Sequence, residues 1–184
     1  SWFLRPDKVR QSSRVPASVE YHRVYAGEKR RIIRGLAAIV LLFAGLIVLA
    51  QVCLAGATAI DTHLLGRTGF TPLQFAAGAL SLALLIPYSM LLQRWIYGVP
   101  ARSLHSVAGN FRFSVFGRSL LVFGPFVLIA MSVGSFAPAD SIPWSKSDLI
   151  AFFVIGMTLI PLAAAGEEYG LRGLMFRVIG SWTR

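Results

Sequence analysis

Residues 35–60, GLAAIVLLFAGLIVLAQVCLAGATAI, run for 26 positions without a charged side chain. A hydrocarbon core of ~30 Å needs about 20 apolar residues at a rise of about 1.5 Å each, so this run alone is long enough to cross a membrane. Three more uncharged stretches follow, 68–93 (26 residues), 119–139 (21) and 149–166 (18). A soluble domain can bury one such helix, but four in a chain of 184 residues leave too little polar surface to cover them. Charged residues make up 14% of the chain, against roughly 25% in soluble domains. The mean hydropathy is +0.65. The expected fold is therefore an all-α, polytopic transmembrane helical bundle. Four spans are expected at about 35–60, 70–93, 119–139 and 149–166, the last continued by a helix to residue 184. Residues 1–31 read as a basic cytoplasmic tail and juxtamembrane anchor, and 32–184 as the membrane domain.

Orientation follows from the cations. Nine precede the first span: Arg5, Lys8, Arg10, Arg14, Arg23, Lys29, Arg30, Arg31 and Arg34. The first loop holds Arg67, the second Arg94, Arg102, Arg112 and Arg118, and the third Lys146. By the positive-inside rule the N-terminus, the second loop and everything after Gly166 are expected in the cytoplasm, with Asp61, His63 and Lys146 outside. The same distribution accounts for the net charge of +10. Its cations sit at span ends without a recognition motif, which points to anionic lipid headgroups as partners and not to nucleic acid. Residues 21–34, YHRVYAGEKRRIIR, suit a headgroup anchor. In the second loop Trp95, Ile96 and Tyr97, then Leu104, Val107, Phe111 and Val115, suit a segment lying in the interface. The single cysteine, Cys53, excludes an intrachain disulfide, and no Cys/His cluster has zinc-finger spacing.

The last stretch ends in LIPLAAAGEEYGLRGLMFR and carries the only adjacent acidic pair, Glu167 and Glu168. Carboxylates at the bilayer edge are expensive and by default mark a functional site. The competing reading is surface decoration, since a Glu and an Arg four apart on a helix add only a few tenths of a kcal/mol. At about 100° per residue, Ala163, Gly166, Gly170 and Gly173 fall within about 80° of one another, a stripe that lets another helix approach closely. Glu167 falls about 40° from Ala163, beside that contact and partly desolvated, whereas Glu168 and Arg172 fall at about 140° and 180° and can pair. Pro161 removes one backbone hydrogen bond just before the pair and is expected to kink the helix.

Glu167, Glu168, Arg172 and Gly173, followed by Leu174, Met175 and Phe176, resemble the Glu-Glu-x-x-x-Arg-Gly motif of the CPBP family, the CAAX prenyl protease and bacteriocin-processing membrane proteins. The resemblance implies an intramembrane endopeptidase in a prokaryotic plasma membrane. Glu167 would activate the water that attacks a peptide bond near the cytoplasmic surface, supported by Glu168 and Arg172, and the substrate would be a membrane-associated peptide or protein. In the family, later helices contribute two His motifs, as ligands for a divalent metal such as zinc or as oxyanion stabilisers. Here His22, His63 and His105 all precede the motif, and none has Phe four before it or Asn/Asp four after it. No metal ligand is identifiable in the chain, which is expected to continue past Arg184 and to be inactive alone. Two other readings stay open: a non-catalytic membrane subunit using the Glu/Arg arrangement for helix packing, and part of a transporter with Glu167 as proton relay.

Overall fold

A computed structural model describes residues 21–25, 31–104, 114, 117, 118, 121–126, 129 and 144–182. Among them all regular structure is helical. Helix α1 spans Arg31–His63, α2 Pro72–Ala83, α3 Leu85–Tyr97, α4 Lys146–Glu167 and α5 Phe176–Gly180. A π-helical segment, Glu168–Met175, joins α4 to α5, and 3₁₀ turns cover Tyr21–Arg23 and Ala101–Leu104. Three continuous helical stretches, 32–63, 72–97 and 146–180, are long and apolar enough to cross a membrane. The third expected span, 119–139, lies outside the described residues except 121–126 and 129, and the tail expected over 1–20 lies wholly outside them.

Local chemistry sets the element ends. Thr71 caps α2, its hydroxyl accepting from Gln74 N–H, and Pro72 occupies the first turn, where a missing N–H costs nothing. The α2–α3 junction at Leu84 lies three residues before Pro87, which cannot return a hydrogen bond to the Ala83 carbonyl. Gly98, at φ 66°, ends α3 in the left-handed conformation and returns its N–H to Arg94 O. A reciprocal Ser145/Asp148 capping box starts α4, which runs through Pro161 without ending. Asp61 and His63 were expected in the first loop. They lie instead in the last turn of α1, where Asp61 accepts a hydrogen bond from the Thr71 hydroxyl ten residues on.

Helix α1 packs on α2 and α3, α2 packs most extensively on α4, and the π segment rests on α3. Tyr88 lies across Gly45, and its hydroxyl donates to Leu41 O at 2.6 Å. The core joins Ala38 and Leu42 of α1, Leu85, Leu92, Ile96 and Tyr97 of α3, Leu174 and Val178 of the last helix, and Val24 and Tyr25. Residues 24 and 25, part of the segment expected to anchor at the headgroups, are thus packed into the core. The opposite face of α1 exposes Ile32, Ile33, Leu36, Val40, Ile47, Val48 and Val52. Apolar surface of that extent suits lipid and would not stay monomeric in water.

The two ends of the bundle are distinct. At one end the loop after α1 meets the start of α4, through Arg67 Nη1 to Asp148 Oδ1 at 2.7 Å and Trp144 Nε1 donating to Phe70 O at 3.2 Å. At the other, Gly35 lies against Val178 and Trp182, and Gly180 against His22.

The small-residue stripe is the contact expected of it. Ala163, Gly166, Gly170 and Gly173 are all buried. A methyl group on Gly166 would collide with the Leu82 carbonyl oxygen, and one on Gly170 would meet Leu42 Cδ1 at 3.4 Å. Gly166→Ala should therefore force α4 off α2 and lower stability by roughly 1–3 kcal/mol, the usual cost of overpacking. Gly170→Ala, with only side-chain contact, should cost less. Equal melting temperatures for the two variants would contradict this packing.

Candidate functional site

Glu167 is the last residue of α4 and Glu168 the first of the π segment, so the acidic pair straddles the change of helix type. In the π segment the hydrogen bonds run i→i+5 and the turn is wider, which the expectation of 100° per residue did not include. Gly170 and Gly173 carry the weakest α preference of the non-proline residues, which lowers the cost of the wider turn there. Short π stretches of this kind inside α-helices occur frequently at functional sites.

The widened turn preserves the division of faces. Glu167, Glu168 and Arg172 are exposed while the glycines are buried. Arg172 Nη1 lies 3.1 Å from Glu168 Oε2, the pairing expected from their spacing. Glu167 makes no hydrogen bond or ion pair among the described residues, so it is the freer carboxylate as expected. It is exposed, however, and the expected partial desolvation beside the stripe is absent, because the close approach at Gly166 buries backbone and leaves the next side chain pointing out.

The sequence reading missed a buried polar network just beyond the motif. Arg177 is 0% exposed, and its Nη1 donates to Gln93 Oε1 at 2.6 Å and Ser103 Oγ at 3.1 Å, while Nη2 donates to Ser103 O. Tyr25 Oη donates to the same Gln93 Oε1 at 2.7 Å. Gln93 Nε2 donates to Pro100 O at 2.8 Å and Ser103 Oγ at 2.9 Å, so the amide uses both its lone pairs and both its protons. Tyr25 also stacks on Tyr97 with ring centroids 3.8 Å apart. The network ties residue 25, the end of α3, the turn at 101–104 and the start of α5 into one unit below the Glu/Arg motif. Of the proposed interfacial segment, Trp95 is exposed but Ile96, Tyr97 and Leu104 are buried, and residues 107, 111 and 115 lie outside the described residues.

No three His, Cys, Asp or Glu side chains among the described residues come together to hold a metal ion. His63 closes α1 at the far end, and His22 sits beside Phe176 with ring centroids 5.7 Å apart. Glu167 and Glu168 are the carboxylates that the described residues bring to this site. No family model matches the chain, and no curated protein and no solved structure matches it either.

Proposed function

We propose that the chain is part of an intramembrane endopeptidase of the CPBP type, with Glu167 as the general base. One observation carries the reading: an acidic pair at the end of an apolar helix is divided, Glu168 held by Arg172 and Glu167 left free, by a buried stripe of small residues. Glu167 takes a proton from a water molecule as the water oxygen attacks the peptide carbonyl carbon. The proton then passes to the departing amine as the C–N bond breaks. Arg172 holds Glu168 in place beside it, and groups on a further part of the protein complete the oxyanion site. The substrate is a membrane-associated peptide or protein, cut near the cytoplasmic surface. The test is cleavage of membrane-embedded peptides by the full-length protein, compared with its Glu167→Gln variant. The second reading, a non-catalytic membrane subunit, is favoured by the exposure of Glu167, Glu168 and Arg172 together, which leaves them open to a partner helix.

The topology proposed with this function has four spans and a cytoplasmic N-terminus. Helix α3 ends at the Arg177 end of the bundle and α4 starts at the opposite end, which supports a further crossing between them. The uncharged stretch 119–139 is the run available for a crossing, and its residues 121–126 are helical with exposed Leu121, Val122, Phe123 and Phe126. The cation alternation supports the orientation. In a Cys53→Ser background, Thr68→Cys should react with an impermeant thiol reagent in intact cells, and Arg102→Cys only after permeabilisation. The reverse pattern would overturn the orientation.

A further inference from the structure

The end of the bundle that holds Arg177 carries cations that the proposed peptidase does not use. Arg23, Arg94 and Arg102 are all exposed there. The buried network fixes where they stand, since each lies within two residues of one of its members. Tyr25 Oη donates to Gln93 Oε1 at 2.7 Å, and Gln93 Nε2 donates to Ser103 Oγ at 2.9 Å. Tyr25, Gln93 and Ser103 turn inward, so the arginines beside them are left on the rim. None of the three makes an ion pair or a side-chain hydrogen bond among the described residues. The described acids of this end do not neutralise them, because Glu168 is held by Arg172 at 3.1 Å and only Glu167 remains against three guanidinium groups. Arginine keeps its charge at any physiological pH, so the rim is cationic.

Helix α3 sets the depth of those charges. Leu91, Arg94 and Trp95 are spaced three and four residues apart and share one face of the helix. All three are exposed, Leu91 at 63% and Trp95 at 56%. Within one turn this outer face passes from an apolar side chain to an indole and a guanidinium, the order in which a bilayer passes from hydrocarbon to headgroup. A tryptophan at that level lays its ring against acyl chains and keeps its N–H among polar groups. Charge alone would suit an acidic protein equally well. Here the charge is continuous with exposed apolar surface on a helical stretch long enough to cross a membrane, which matches both halves of a phospholipid.

We propose that this rim binds phospholipids of net negative charge in preference to zwitterionic ones, the phosphate met by the rim arginines and an acyl chain lying along Leu91 and Trp95. The full-length protein in vesicles of phosphatidylglycerol and phosphatidylcholine tests it, with one lipid or the other carrying brominated chains. Quenching of the fluorescence that Trp95→Phe removes reads the lipid at the rim. Brominated phosphatidylglycerol should quench at the lower mole fraction, and Arg94→Gln and Arg102→Gln should each lower that preference about fivefold, the weight of one cation at a membrane surface. Arg94→Lys should retain it. Arg67→Gln, which removes a cation paired with Asp148 at the opposite end, should leave it unchanged. The rim arginines are exposed and without polar partners among the described residues, so these variants keep the fold. Inorganic phosphate and a soluble hexaglutamate peptide, added at equal concentration, should not displace the lipid; displacement by the first would mark a site for free phosphate, and by the second a site for an acidic protein. Either displacement would overturn the proposal, as would no quenching of Trp95, equal quenching by the two lipids, an unchanged preference in both glutamine variants of the rim, or a lost preference in Arg94→Lys or Arg67→Gln.

Discussion

Glu167→Gln is expected to lower peptide cleavage by a factor of about 10² to 10⁴, the usual contribution of a positioned general base, while leaving the melting temperature nearly unchanged. That separation of rate from stability follows from the local geometry. Glu167 is exposed and has no polar partner among the described residues, so an amide of the same shape breaks no contact. The amide cannot accept the proton of the attacking water, and so the loss falls on the chemical step. Glu168→Gln provides the internal comparison. It releases Arg172, but the pair is exposed on both sides and is worth only about 0.3–0.5 kcal/mol as an i,i+4 contact. Any large effect of Glu168→Gln should therefore appear in rate and not in the melt. Full activity in Glu167→Gln would remove the peptidase reading and leave the subunit reading in its place.

Arg177→Leu should be the most destabilising single change in the half of the bundle that carries the Glu/Arg motif, by about 3 kcal/mol or more. Hydrogen bonds from a charged donor contribute roughly 1.5–3 kcal/mol each, and the buried acceptors on Gln93 and Ser103 would lose theirs without water to replace them. For a chain of this size the melting temperature should fall by about 6–12 °C. Arg177→Lys should recover only part of this, since one ammonium cannot reach Gln93 Oε1 and Ser103 O as the guanidinium fork does. If Arg177→Leu melted with the parent, or if Gln93→Leu did not reduce the cost of losing Arg177, the four residues would not act as a unit.

The spans at 35–60 and 149–166 and most of that at 70–93 were legible because a helix long enough to cross a membrane requires only a sustained absence of charge, which is a local property. The buried face of the last helix was equally legible. Small residues at 163, 166, 170 and 173 specify close approach wherever the partner comes from, and the pairing of Glu168 with Arg172 depends only on a four-residue interval. The change to π geometry at Glu168 was not, because the choice between i→i+4 and i→i+5 bonds is settled by what the turn packs against. Nor was the Arg177 network, whose members at positions 25, 93, 103 and 177 meet only after α3 and α5 have docked. In the sequence Arg177 is one more cation after a span, and Asp61 one more acid in a loop. Tertiary structure alone decided that both are buried, since burial depends on which distant segment covers a side chain: Gln93 and Ser103 for the first, Thr71 and the start of α4 for the second.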